Sequence, residues 1–231
     1  MHVLLASIAV LAATAVPPRP ARLLIGRSVQ HRAIVAVRAG SPAARRSVLV
    51  VGCIHGDEQA GIAIARRLER ARPPGGVAVW SITELNPDGV REDTRQNAHR
   101  VDLNRNFPFR WRPLGRPGDQ QYSGPRALSE PESRAAAAFI RRVHPAITIW
   151  FHQPLGLVDE SGGSVAVERR FARLARLPLR RLVRYPGSAP GWQDHAMPGT
   201  TAFVVELPPG RLSTADAARY ARAVLALAAH P

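Results

Sequence analysis

Val48-Leu49-Val50-Val51-Gly52-Cys53-Ile54-His55-Gly56-Asp57-Glu58 is the stretch on which the reading of this chain turns. The apolar run from Val48 to Ile54 has the pattern of a strand buried on both faces, and Gly52 and Gly56 let the chain turn sharply as it leaves the sheet. From Glu58 to about Leu68 the apolar residues Ala60, Ile64 and Leu68 recur at helical spacing. His55 and Glu58 therefore fall at a strand-to-helix turn, at the carboxyl end of a strand, where open α/β sheets bind ligands. An imidazole and a carboxylate there are two of the three protein ligands of a catalytic zinc site, which keeps its fourth position for water. The same pair also fits a polar loop in which Glu58 is a first-turn helix carboxylate, and H-x-x-E alone does not separate the two.

Outward from this stretch the chain alternates strands and helices. Arg27 to Arg38 reads as the first strand of the folded domain, and Gly40 to Arg46 as a turn into the central one. Pro73-Pro74-Gly75-Gly76 ends the first helix and Val77 to Ile82 is the next strand, so strand, helix and strand make a right-handed βαβ unit. Glu84 to Gln121 has no regular periodicity, and long irregular segments inside a compact domain are usually functional. It holds the turn signature Asn86-Pro87-Asp88-Gly89 and then Asp102-Leu103-Asn104-Arg105-Asn106-Phe107-Pro108.

Further on, Ser129 to Glu132 reads as a capping box opening a helix to about Val143. Ala146 to Phe151 is a buried strand that ends directly in His152. Val165 to Leu177 reads as an Arg-studded amphipathic helix, and Tyr185 to Thr200 as irregular chain. Thr201 to Leu207 is a last buried strand carrying Glu206 at its end, and Ser213-Thr214-Ala215-Asp216 caps an Ala-rich helix reaching about Ala229.

At 231 residues, 45% of them hydrophobic, the chain is long enough to bury a full core as one domain, and it shows no internal repeat. The formal charge is +15, and all 32 basic residues are Arg. Such a surface favours anionic surroundings, an acidic cell-wall polymer among them. Nothing resembles a recognition helix, an aromatic RNA-binding strand or a Cys-rich finger, so nucleic acid is not the expected partner. Cys53 stands alone and reads as inert packing within its strand. Met1 to Ala15, apolar and ending in Ala13-Thr14-Ala15, reads as a signal peptide, although only His2 precedes the apolar part where Lys or Arg is usual. A secreted or extracytoplasmic protein is expected, or a cytoplasmic one if the run is not cleaved. The run is too short for a membrane span. Residues 16–24 then form a Pro-rich spacer, and residues 25–231 a single folded domain.

His55, Glu58, His152 and Glu206 each lie where an apolar strand stops, so in a twisted, mostly parallel sheet they can converge on one edge. Packing alone does not explain this, since each would bury a polar group at a cost. On these residues, and on Asn86-Pro-Asp-Gly89, Asp102-Leu-Asn104-Arg105-Asn-Phe-Pro108, Ser129-Glu-Pro-Glu132 and Val-Val-Glu206-Leu-Pro in the same order, the chain resembles the zinc metallocarboxypeptidases of the carboxypeptidase A kind, and among them the bacterial murein peptide amidases. The resemblance runs from about Ile25 to the C-terminus.

It implies an α/β three-layer sandwich with a mixed, largely parallel sheet and helices on both faces. It also implies one zinc ion on His55, Glu58 and His152, with Asp102 orienting the first histidine. Glu206 would be the general base and later the proton donor, and Arg95 would stabilise the oxyanion. Asn104 and Arg105 would bind the free carboxylate of the substrate, a task suited to a planar bidentate guanidinium. Tyr185 matches the substrate-binding tyrosine only loosely in spacing. Simpler roles stay open: Arg95 as loop charge beside Arg91 and Arg100, and Arg105 as an ion-pair partner of Asp102. The implied reaction is hydrolysis of the amide before a C-terminal residue, with a peptide or muropeptide as substrate. An aspartoacylase or succinylglutamate desuccinylase-like amidohydrolase uses the same zinc set and is the alternative, and a cell-wall-binding module without catalysis is a third.

Overall fold

The computed structural model describes residues 20–229, so the run read as a signal peptide lies outside the described residues. The strands are β1 Ala21–Arg27, β2 Ala33–Ala39, β3 Arg46–Val51, β4 Val77–Ile82, β5 Ile147–His152, β6 Leu157–Asp159, β7 Leu179–Arg180 and β8 Thr201–Glu206. The helices are α1 Ala60–Leu68, α2 Pro87–Glu92, α3 Pro131–Val143, α4 Val165–Ala175, α5 Ala189–Ala196 and α6 Thr214–Ala229. All the strands join one eight-stranded sheet in the order β1-β2-β4-β3-β5-β8-β6-β7. The centre, β4-β3-β5-β8, is parallel, whereas β2 joins β4 and β6 joins β8 in antiparallel fashion.

Helices cover both faces, and the strand side chains alternate between two cores. Val48, Val50, Val79 and Ile149 meet Ile64 and Leu68 of α1, Phe171 of α4 and Val224 of α6. Leu49, Val51, Ile82 and Trp150 meet Ala136 and Ile140 of α3 and Trp192 of α5. Burial on both sides is why the central strands are continuously apolar. The mixed α/β sandwich expected from the resemblance is the fold observed.

Several local expectations change. Arg27 to Arg38 is two strands: Ser28 to Arg32 closes a hairpin through Ser28 N–H donating to Arg32 C=O at 2.9 Å, with His31 at φ 61°. The buried Asp88 carboxylate holds that hairpin, accepting from Ser28 Oγ at 2.7 Å and Gln30 N–H at 3.0 Å, a long-range tie that the local pattern does not reveal. Residues 21–24, read as spacer, pair with β2 instead, so the sheet begins at Ala21. The capping box of α3 does not form. Glu130 is the N-cap without a side-chain cap bond, and Glu132 is drawn away to accept from Val29 N–H and Asn97 Nδ2. Asn86-Pro87-Asp88-Gly89 opens α2, with Asn86 Oδ1 accepting from Gly89 N–H at 2.9 Å. The stretch 185–200 contains α5, whose Pro190 sits in the first turn, where a proline is tolerated.

The turn carrying His55 is pressed against α2. A Cβ on Gly56 would stand 1.9 Å from the carbonyl carbon of Gly89. Gly56→Ala must therefore displace backbone, and it should cost about 1–3 kcal/mol of stability or more, together with weaker metal binding. Thermal melts and a zinc titration read both, and a variant matching the parent in each would show that the turn has slack.

Candidate metal centre and active site

β3 and β5 are neighbours, parallel and in register, with Val51 beside Trp150. His55, four residues beyond the end of β3, and His152, the last residue of β5, therefore arrive at the same sheet edge. Glu58 closes the turn, its N–H donating to His55 C=O at 3.1 Å. His55 Nδ1 lies 2.9 Å from Glu58 Oε1, and His152 Nδ1 lies 2.7 Å from Glu58 Oε2 and 3.1 Å from His55 Nδ1. All three side chains are buried. Among the described residues this is the one cluster whose ligand atoms, within 4.8 Å of one another, could share an ion.

The donor set fits a metal. Two imidazole nitrogens and a carboxylate point at one spot, while the far nitrogen of His55, Nε2, lies 2.9 Å from Asp102 Oδ1, the kind of outer hydrogen bond that fixes a ligating imidazole. Two ring nitrogens 3.1 Å apart otherwise need a proton between them. Burial, the largest influence, pulls the His55 imidazole down, but Glu58 and Asp102 together raise it to about 9. Burial pushes Glu58 and Asp102 up, yet their imidazole partners hold both below the usual carboxylate range.

Arg95 belongs to this network more closely than its loop suggests. Its Nε and Nη2 donate to Asp102 Oδ2 at 3.1 and 3.0 Å, and its Nη1 donates to Glu58 Oε1 at 2.9 Å. The guanidinium lies on the cavity wall, where a substrate oxygen would compete with Glu58 for Nη1.

Asn104 and Arg105 sit in a single 3₁₀ turn, Leu103–Arg105, capped by the Asp102 side chain, which accepts from Asn104 N–H at 2.9 Å. Asn104 Oδ1 accepts from Ala189 N–H, and its Nδ2 lies 3.5 Å from His152 Nε2, so its amide also braces α5 and the second histidine. Arg105 is 5% exposed. Its Nη1 donates to the Asn104 carbonyl and its Nε has no partner. Arg105 is thus not the ion-pair partner of Asp102; that place is taken by Arg95. Burial lowers the Arg105 pKa, and a buried guanidinium short of acceptors is a site for an anion. The Tyr185 ring lies 4.0 Å from Arg105 Cζ, a cation–π contact that brings this half-exposed tyrosine into the same wall. Gly187, at φ +70°, holds its loop down by hydrogen bonds with Phe107 and Phe109.

Glu206 ends β8 directly beside His152 of β5. Burial pushes its carboxyl up, with His152 opposing, and its buried Oε2 has no hydrogen-bond partner. His55, Glu58, His152, Arg95, Asn104, Arg105, Tyr185 and Glu206 all line one cavity of about 910 Å³, and Asp102 stands behind it. The pattern of the sequence missed Gln153. Its N–H donates to Glu58 Oε2 at 3.2 Å, its Oε1 accepts from Ala60 N–H at 2.9 Å, and its Nε2 donates to the Pro208 and Gly210 carbonyls. Only its position after His152 pointed to it.

The family model of the succinylglutamate desuccinylase/aspartoacylase catalytic domain matches residues 44–230, and its span takes in every one of these groups. The chain belongs to the zinc carboxypeptidase-like family. Murein peptide amidase A of Escherichia coli strain K12 is 33% identical over 163 residues, covering 65% of this chain and 67% of that protein. The enzyme of that name from Vibrio campbellii is 31% identical over 198 residues, covering 80% and 78%. The crystal structure of murein-tripeptide amidase from Escherichia coli O157 superimposes with a TM-score of 0.73 at 28% identity, over 94% of this chain and 95% of that one. Carboxypeptidase A from Helicoverpa armigera, 18% identical, shares the fold at a TM-score of 0.74, over 91% of this chain and 69% of that one. The chain is thus a peptidase-like hydrolase, and His55, Glu58 and His152 are the group of residues that could hold a metal ion in it.

A metal must displace the proton that His55 holds below about pH 9. Apparent zinc affinity should therefore climb about tenfold per pH unit from pH 7 and level off as pH passes that value. Competition titrations against a chelator across this range read the slope. A flat profile would mean that His55 is already neutral in the metal-free protein.

Proposed function

We propose that this protein is a zinc-dependent carboxypeptidase-type amidase that cleaves the amide before a C-terminal residue, acting on a peptidoglycan-derived peptide outside the cytoplasm. The observation that carries the reading is the pairing of Glu206 with His152 at one sheet edge, facing the same cavity as the under-partnered Arg105. A base, a ligand set and a carboxylate receptor in one cavity are the parts that C-terminal hydrolysis needs. The names of the relatives, murein peptide amidase and murein-tripeptide amidase, support the substrate class, and the apolar N-terminal run supports export. The cationic surface supports residence near an acidic cell-wall polymer.

In this reading Arg105, with Asn104 beside it, holds the terminal carboxylate and thereby sets the scissile carbonyl near the ligand residues. Glu206 takes a proton from the attacking water and returns it to the departing amine. Arg95 donates to the carbonyl oxygen as charge builds on it. Zinc on His55, Glu58 and His152 would supply Lewis acidity toward that oxygen and toward the water.

The family model also describes enzymes named for small acylated amino acids, which is the second reading. Both are tested by one substrate series, L-alanyl-γ-D-glutamyl peptides against N-acyl amino acids, with zinc added and released amine measured. Cleavage of the N-acyl amino acids alone would move the assignment to the second reading.

Glu206→Gln keeps the shape and should fold and hold zinc as the parent does, while turnover falls roughly 10²–10⁴-fold. If Glu206 were instead a structural acid, the melting temperature would drop and activity would follow the folded fraction. Amidating the substrate's terminal carboxylate should remove a charge-assisted contact to Arg105 worth about 2–4 kcal/mol in transition-state binding. Equal hydrolysis of acid and amide would contradict exopeptidase recognition.

A further inference from the structure

Gln153 follows His152 at the end of β5, and both ends of its half-buried side-chain amide are engaged. Oε1 accepts from the N–H of Ala60, the first residue of α1, at 2.9 Å, and Nε2 donates to the carbonyls of Pro208 and Gly210 at 2.9 and 2.8 Å. These partners fix which way the amide points, because the reverse would set an NH2 group against an N–H and an oxygen against two carbonyls. Helix α1 takes no side-chain bond from its own N-cap, Gln59, so Gln153 supplies its first turn with an acceptor from another strand. A glutamate here would lack the donors, and a lysine or arginine the acceptor.

The segments so joined carry the groups that the reaction would use. Ala60 lies two residues after Glu58, and the Gln153 N–H itself donates to Glu58 Oε2 at 3.2 Å. One residue thus holds this carboxylate directly and holds the helix behind it. Pro208 and Gly210 lie two and four residues after Glu206. The exit of β8 is tied to β5 by Leu207 N–H donating to the His152 carbonyl at 2.7 Å. Past that bond Pro208 and Pro209 have no N–H to give, so the segment is held through its carbonyls, and Gly210 turns it at φ +78°. Glu206 Oε2 has no hydrogen-bond partner, so the backbone on either side decides where the carboxyl stands.

Resting on the reading in which Glu206 is the base and Glu58 a metal ligand, we propose that Gln153 is a positioning residue for the reaction. Its side-chain amide ties the exit of β8 to the start of α1 and so sets the spacing between the base and the ligand residues. Gln153 performs no chemistry itself. A misplacement of about 1 Å at a reacting centre can cost on the order of 100-fold in rate, and this tie spans the two groups whose spacing counts. If the amide did no more than stabilise the fold, its loss would lower the melting temperature and leave turnover per folded, zinc-loaded molecule unchanged.

The test uses the zinc-loaded full chain and whichever substrate of the series above is cleaved. Gln153→Met keeps the length of the side chain and removes both ends of the amide. It should lower kcat by about 10- to 100-fold with KM within about threefold of the parent, because Arg105 still holds the substrate. Its zinc affinity should fall by about tenfold, since Glu58 loses the support of α1. Gln153→Glu keeps the acceptor for Ala60 N–H and loses the donors to Pro208 and Gly210, so it should lose a similar share of kcat while holding zinc at least as tightly as the parent. Amide hydrogen exchange across residues 207–213 should quicken in both variants and stay as in the parent in β2 and β4. Adding Gln153→Met to Glu206→Gln should cost less than about threefold more in turnover, because no base is left to position.

Parental kcat per zinc-loaded molecule in both variants, or the same fold loss with and without the Glu206 carboxylate, overturns the assignment while leaving the amidase reading intact. Near-parental turnover in Glu206→Gln removes the base reading, and the role of Gln153 with it. Exchange across 207–213 that stays parental in both variants overturns the tie whether or not any substrate is cleaved, so a failure of the amidase reading does not conceal it. If Gln153→Met fails to fold, Gln153→Glu, alone and combined with Glu206→Gln, decides on the same terms.

Discussion

Three neighbouring strands, β3, β5 and β8, run parallel and stop at one edge, and every polar group of the site depends on that shared edge. The register is set by apolar side chains buried in both cores: Val50 with Ile149, then Ile149 with Phe203, and so on along the strands. A slip of one residue would turn each strand's side chains to the opposite face, taking Glu206 away from His152. Hydrophobic packing thus fixes where the charges sit. The charges then have to neutralise one another, because breaking a buried pair by removing one partner leaves an uncompensated charge and costs several kilocalories. His55 lies between Glu58 and Asp102, and Arg95 bridges the same two carboxylates from outside.

That division explains what could be read in advance. The central strands were legible because burial on both faces leaves an unbroken apolar run, and the ligands were legible because a His or Glu directly ends each run. The β1–β2 hairpin was not, since its turn is held by Asp88, distant in sequence, and its outer strand is half-exposed. Helix α5 was hidden by Pro190 and Gly191, which read as breakers although a first-turn proline costs a helix nothing. The Ser129 to Glu132 box had the right letters, but Glu132 found stronger donors in Val29 N–H and Asn97. Gln153 carries no pattern at all; its role follows from three segments meeting at the edge of the sheet.

Arg95 connects the ligand set to the cavity. Two of its nitrogens donate to Asp102 Oδ2, which fixes the plane of the guanidinium and turns Nη1 toward the ligand set. That donor now rests on Glu58 Oε1. A guanidinium does not deprotonate, so turning Nη1 toward a substrate oxygen leaves Glu58 needing another positive partner. A cation shared by His55, Glu58 and His152 is such a partner. In the proposed reaction the ligand set and Arg95 would therefore act as one charge-balanced unit, in which a cation on the first would free Nη1 for the substrate oxygen.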